Sequence, residues 1–461
     1  MLDATLSRID NEMEENLKRL FNLLKIKSIS TDPNFKKDCV EAADWLVDDL
    51  RSFGVTAQKY ETGGNPIVHG SLGYDKGLHV LFYGHYDVQP VDPLELWHTD
   101  PFEPVIEKTS SGPVIRCRGA SDDKGQLMTF VEACRAWVAQ NGLLPFKVTF
   151  FFEGEEESGS PSLVPFMKKH RKKISSDIVL ICDTGLFESR VPSIVTRLRG
   201  ILKEELIITG PDKDLHSGMY GGISTNPAKV LTNVLSALHG KNGAVAVPNF
   251  YDGVPKLTQD IKEQWEGLNF NHQQFLGEVG LSIPAGELSR SPLEMLWSRP
   301  TCEINGIKSG YISEGFKTVL PAQASAKISF RLVGEQDPLK IRKSFRNMVQ
   351  NLLPADCRVF FKEHEASKAS QMDTSALEFE MAREAISQEW KIEAAFIGCG
   401  GSIPIAGYFQ QITGVDPMLI GFAKDDDQIH SPNEKYDLES FRKGIRSWVR
   451  IINSFAELQN V

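Results

Sequence analysis

Four apolar runs in this chain end in acid or histidine. HVLFY (79–83) leads into Gly84-His85-Tyr86-Asp87, and KVTFFF (147–152) into Glu153-Gly154-Glu155-Glu156-Glu157. DIVLIC (177–182) runs into Asp183, and PMLIGF (417–422) runs towards Asp425-Asp426-Asp427-Gln428-Ile429-His430. A further acidic pair, Asp122-Asp123, stands immediately before a helical pattern. Read singly, each has an ordinary structural explanation. His85 reads as a core or surface histidine, Asp122 and Asp123 as helix caps, and Glu155–Glu157 as a solvated loop. Asp183 reads as a turn residue, and Asp425–Asp427 as solvated acids in any account. Read together they share one place, because an open α/β sheet binds its ligands at the carboxyl ends of its strands. Carboxylates a few ångströms apart resist ionising together, so the cluster calls for cations. Two imidazoles among carboxylates suit zinc better than calcium or magnesium. The candidate ligands outnumber what one tetrahedral zinc uses, which points to two ions about 3.5–4 Å apart. Manganese or cobalt could replace zinc on the same donor types.

The elements that must hold these residues follow from hydrophobic spacing. Leu6, Ile9, Met13, Leu17, Leu20 and Leu24 recur at helical steps and predict a helix over 4–25; a second is expected over 40–53, ending at Gly54. A third is expected over 124–140, with Asp123 as N-cap and Asn141-Gly142 as its end. Continuous apolar strands alternating with helices predict an α/β fold with a mostly parallel sheet covered on both faces. The middle of the chain reads differently. Strands near 202–208, 303–312, 324–333 and 357–363 and helices near 227–239 and 338–353 give a β-α-β-β-α-β order. That order predicts an inserted ferredoxin-like α+β domain. The expected organisation is a catalytic domain in two parts, 1–197 and 371–461, interrupted by the insertion at 198–370. The stretch 240–300 gives no clear assignment.

Bulk properties exclude several partners. The formal net charge of −10 disfavours nucleic acid or an anionic membrane. No apolar run has the length of a membrane-spanning helix, and the charged, amphipathic N-terminus has no secretory h-region. The seven cysteines are scattered with no CxxC pair, which reads as reduced thiols in a cytoplasmic protein.

The motifs YGHYDVQP (83–90), GASDDKG (119–125), EGEEESGS (153–160), ICD (181–183), DLHSGMYGG (214–222), CGGSIP (399–404) and IHSPNEK (429–435) resemble metallopeptidase family twenty, and within it the carnosinase-like dipeptidases. The resemblance runs from about residue 15 to 455 and implies specific roles. His85 and Asp183 would bind one zinc, Glu157 and His430 the other, and Asp122 would bridge them. Asp87 would hydrogen-bond the ring of His85 and fix its tautomer. Glu156 would be the general base, taking a proton from a hydroxide-forming water between two zinc ions and passing it to the leaving amine. His216 would reach across a homodimer, formed through the inserted domain, to stabilise the oxyanion. Arg331, with Gly400, Gly401 and Ser402, would grip the substrate carboxylate, and Thr318 would contribute from the partner subunit. One departure stands out: the resemblance leads one to expect an acid before GGSIP, where this chain has Cys399.

The function implied is hydrolysis of the amide bond in dipeptides or small peptides next to a free carboxylate. An N-acyl amino acid amidohydrolase of desuccinylase or deacetylase type would use the same ligands. A protein that binds metal without turnover is the alternative from another class.

Overall fold

The computed structural model describes all residues except 75, 76, 402 and 461; Ser402, expected in the carboxylate loop, therefore lies outside the described residues. The chain divides into two compact units. The first comprises Met1–Thr196, Met372–Ile397 and Pro404–Val461; the second comprises Arg197–Gln371 and Gly398–Ile403.

The first unit is built on a mixed sheet. The four apolar runs form its parallel block: His79–His85 pairs parallel with Lys147–Glu153 on one side and Ile178–Ile181 on the other, and the latter pairs parallel with Pro417–Ile420. Ile67–Leu72 is added antiparallel beside Lys147–Glu153, and Thr56–Tyr60 pairs antiparallel with it in turn. At the far side Ser193–Leu198 is antiparallel to Pro417–Ile420. The expectation of a mostly parallel sheet is thus corrected. The flanking strands are less uniformly apolar, so they carried no clear period, and Thr56–Tyr60 and Ile67–Leu72 join by a short connection that favours antiparallel pairing.

Helix Lys124–Asn141 lies against the parallel block and is buried along most of its length. Phe130 stacks on Phe82 with ring centroids 4.0 Å apart, and Trp448 of helix Leu438–Phe455 meets both edge-on. Its C-terminus is the expected one, with Gly142 at positive φ. The N-terminal pattern predicted as a single helix is two, Leu2–Asn11 and Met13–Leu24, because Glu12 leaves helical geometry. Among the described residues no helix is long and apolar enough to cross a membrane, and all seven cysteines are free thiols.

The second unit holds a four-stranded antiparallel sheet in the order Thr301–Ser309, Gln323–Leu332, Gly200–Thr209, Arg358–Ser367. Helices Pro227–Ser236 and Pro338–Leu352 supply Val230, Leu231, Val234, Ile341, Phe345 and Val349 to the core it shares with Leu202, Leu206, Ile328 and Phe330. Asn226 caps the first helix through a side-chain bond from Ala228 N, and Asp337 caps the second. The stretch 240–300 contains helices Gln259–Gly267, His272–Gly277 and Pro292–Trp297, the last opened by a Ser291–Glu294 capping box.

Candidate metal centre

The carboxyl ends of the parallel strands gather the acids and imidazoles in the first unit. His85 ends its strand fully buried, with Nε2 3.1 Å from Asp122 Oδ1. His430 reaches the same carboxylate from a loop, with Nε2 2.9 Å from Asp122 Oδ2 and 3.3 Å from Glu157 Oε2. Two ligand sets result: His85, Asp122 and Asp183 form one, and Asp122, Glu157 and His430 the other, with the donor atoms of each set within 4.8 Å of one another. Asp122 belongs to both. The structure thus brings together all five residues proposed as ligands, and Glu156 stands next to one of them in a short 3-10 turn.

Asp87 is placed for two tasks. Its Oδ1 lies 3.4 Å from His85 Nδ1, and its backbone carbonyl oxygen is nearer, at 3.1 Å. Its carboxylate also accepts the backbone N–H groups of Glu156 and Glu157 at 3.3 and 3.1 Å. One side chain therefore ties the imidazole to the loop that carries two of the acids.

Three supports were not assigned in the sequence. Glu434, fully buried, accepts the N–H groups of Gly119, Ser121 and Asp122 and pairs with Arg118 at 2.7 Å, which holds the loop ending at Asp122. Gln89 donates to Glu157 Oε2 at 2.7 Å. Asp123 does not cap its helix with its side chain; its Oδ2 accepts the backbone N–H of His85 at 3.1 Å. Motif position was the available signal, since Gln89 and Glu434 both stand inside the quoted motifs. Two motif glycines permit close approach. A Cβ at Gly125 would fall 1.8 Å from Ala120 O, and one at Gly154 2.3 Å from the Tyr86 ring.

The acids at 425–427 also need correction. Asp427 is buried, accepting Ser121 Oγ at 2.7 Å and Lys435 Nζ at 2.8 Å, rather than solvated. Lys435 also contacts Asp426 and Asp437 at 2.8 Å, so an ammonium occupies the centre of that third acidic group.

The electrostatics show what the main cluster lacks. Burial pushes Glu156 up to about 8, with Asp183 and Glu157 adding to it, and pushes Asp183 up to about 6. Hydrogen bonds to Asp122 and Glu157 raise His430 to about 10. His85 is also raised: burial opposes its charge, but Asp122 and Asp87 outweigh burial. Asp122 is lowered, the two imidazoles overcoming its burial. Without a cation the imidazoles take up protons to balance the acids. Glu157 Oε1 is buried with no hydrogen-bond partner. A buried, unsatisfied carboxylate oxygen facing an acid-rich cluster fits a metal ligand, and the donors, two imidazoles with carboxylates, fit zinc.

In the second unit, His216 and Thr318 were expected separately and are found together. His216 opposes Val319 in a two-stranded ladder, and Ser217 N donates to Thr318 O at 3.1 Å. Both side chains are exposed. Arg331 lies on the sheet opposite Thr301 and Ile201. The loop at Gly400 and Gly401 meets Arg199: a Cβ at Gly400 would lie 3.1 Å from the Arg199 guanidinium, and Arg199 N donates to Gly401 O.

A mixed α/β sheet that gathers two overlapping metal-ligand sets at one edge defines a class, the α/β enzymes with a two-ion centre. The chain belongs to the peptidase family M20/M25/M40, whose model matches residues 81–454, and it is a metallopeptidase of that family. It is 29% identical to the Cys-Gly metallodipeptidase dug1 of Schizosaccharomyces pombe, over 99% of each chain. It is 27% identical to the human Beta-Ala-His dipeptidase, covering 99% of this chain and 93% of that one. Among solved structures, the M20 metallo-carboxypeptidase Sso-CP2 of Sulfolobus solfataricus superposes with a TM-score of 0.79 at 28% identity, over 96% of this chain and 99% of that one.

Proposed function

We propose that the protein is a dipeptidase that hydrolyses the amide bond of small peptides bearing a free C-terminal carboxylate. The observation that carries this reading is the sharing of Asp122 between two ligand sets beside Glu156, in a chain whose full-length relatives are named as dipeptidases. His85 and Asp183 would hold one zinc, Glu157 and His430 the other, with Asp122 between them. Bound there, the ions would supply Lewis acidity and lower the pKa of water. Glu156 takes the proton of the attacking water and delivers it to the leaving amine. Its tendency to hold a proton near neutrality, produced by burial among acids, suits a group that must accept and release one. Asp87 fixes His85 and the Glu156–Glu157 backbone together, so the base and one ligand move as a unit.

His216 acts on the oxyanion from a partner subunit, in a homodimer formed through the second unit as a lid. Its Nδ1 accepts the N–H of Gly218 at 3.1 Å. In the neutral ring this leaves the proton on Nε2, as a donor to an oxyanion requires. Thr318 stands beside it, and Arg331 and the 400–402 loop receive the carboxylate. The relatives' names favour dipeptides over N-acyl amino acids.

The test is a hydrolysis panel of Cys-Gly, β-Ala-His, N-acetyl and N-succinyl amino acids with protein that has been stripped by chelator and reloaded. Dipeptide turnover that disappears on stripping and returns with zinc supports the reading; turnover indifferent to chelator, or confined to N-acyl substrates, overturns it.

A further inference from the structure

Arg199 has an unusual position in the second unit. It is 8% exposed, its Nε is buried with no hydrogen-bond partner, and among the described residues it makes no ion pair. A buried guanidinium normally brings its counterion, because desolvating an unpaired charge is expensive. The nearest formal charges do not serve. Arg331 is of like sign and adds to the burial that pushes Arg199 down to about 10. Glu303, exposed on the neighbouring strand, pulls the other way without forming an ion pair. Cys399 lies close enough to influence Arg199, and its Sγ is already taken by Gly401 N at 3.4 Å.

Arg199 also lines a cavity of about 620 Å³ that lies wholly within this unit. Phe270, Phe275, Leu276, Met295 and Leu296 provide apolar lining. Of the other charged groups in the lining, Glu287 and Arg299 neutralise each other through two contacts of 2.8 Å, and Glu303 is exposed to solvent; His239 and His272 complete the polar part of the wall. Among the described residues, Arg199 is the one charged group of this lining that is both buried and without an ion pair, which favours a guest with an anionic group and an apolar portion. We propose that this cavity is a binding site for a small amphipathic carboxylate, with the carboxylate on Arg199 and the apolar portion against the Phe270–Leu276 wall. The same chemistry is presented by the end of a peptide substrate or product and by a free carboxylate acting as an effector.

Calorimetric titration of the metal-free, full-length protein with 3-phenylpropionate tests this, with 3-phenylpropanamide as the uncharged control. Leaving out metal keeps the measurement independent of the peptidase reading. The acid is expected to bind at least about tenfold tighter than the amide, the scale of a charge-assisted hydrogen bond. Arg199→Met should remove that preference without lowering Tm, since it removes an uncompensated buried charge; a merely structural arginine would lower Tm. Cys399→Glu, which keeps Arg199 and sets an acid beside it, should also weaken the acid and spare the amide. Equal binding of acid and amide by the wild type overturns the proposal. So does a preference that survives Cys399→Glu, a result that decides the matter even if Arg199→Met does not fold. On zinc-loaded enzyme, competitive inhibition by 3-phenylpropionate assigns the cavity to the substrate, and non-competitive inhibition assigns it to an effector.

Discussion

The two units carry opposite electrostatic imbalances. At the sheet edge of the first, acids crowd until two imidazoles, His85 buried and His430 exposed, take up protons. In the second, two guanidiniums influence each other, with no acid paired to the buried one among the described residues. The first imbalance is held rigidly: Asp122 stands on a loop tied to Glu434 by three backbone bonds, and Glu157 is fixed by Gln89 and Asp87. The second rests on one side chain beside a glycine loop. A cluster of like charge states the sign of its missing partner, and the density of its supports states how fixed that partner's position must be.

Substitutions separate the two regions. The largest effect is expected from Glu156→Ala, which should retain both metals and lower kcat by about 10²–10⁴-fold, the usual contribution of a general base. Wild-type kcat in this variant, with metal content confirmed, would remove Glu156 from that role. His216→Ala should lower kcat by about 10²–10³-fold, as loss of one oxyanion donor does, and its exposure predicts an unchanged Tm. Mixing it with Glu156→Ala should restore part of the activity in hybrid dimers; no recovery despite proven subunit exchange would place His216 outside the partner's site. Asp87→Asn should weaken zinc binding by about 10–100-fold, because His85 and the 156–157 backbone lose their common anchor; competition against a chelating dye would measure it.

A smaller effect is expected from pH on the metal-free protein. Glu156, Asp183 and His430 all bind a proton more tightly in the folded chain, with values of about 8, 6 and 10. Stability falls with rising pH wherever the folded state holds more protons than the unfolded one. The two carboxyl groups lose stability from about pH 4 upward. The contribution of His430 is complete below about pH 6.5 and disappears as pH passes its folded value. The lowered Asp122 has the opposite sign, and its contribution is lost only in acid, below its ordinary range. Tm of the stripped protein should therefore decline from about pH 6 to 9, and zinc should flatten the decline by replacing those protons. A level profile for the stripped protein would mean that the cluster is not charge-starved.

The parallel strands were legible because they are buried on both faces and so read as unbroken apolar runs. Their neighbours were not: Thr56–Tyr60 and Ile67–Leu72 lie towards one edge, where burial is partial and no period emerges. Asp123 looked like a helix cap because local sequence cannot show that the backbone of His85, 38 residues away, competes for its carboxylate. Asp427 looked solvated within a run of three acids because Lys435 and Ser121, which neutralise and bury it, come from elsewhere in the chain.

The sequence by itself determined which residue types meet at the strand ends, since strand direction and apolar burial follow from local spacing. It also determined the sign of the charge they need. Only the tertiary structure decided that the carboxylate of Asp123 serves the backbone of His85, that His216 and Thr318 are neighbours, and that Arg199 is buried with no acid paired to it among the described residues. Those facts depend on contacts between segments tens to hundreds of residues apart, and no local period encodes them.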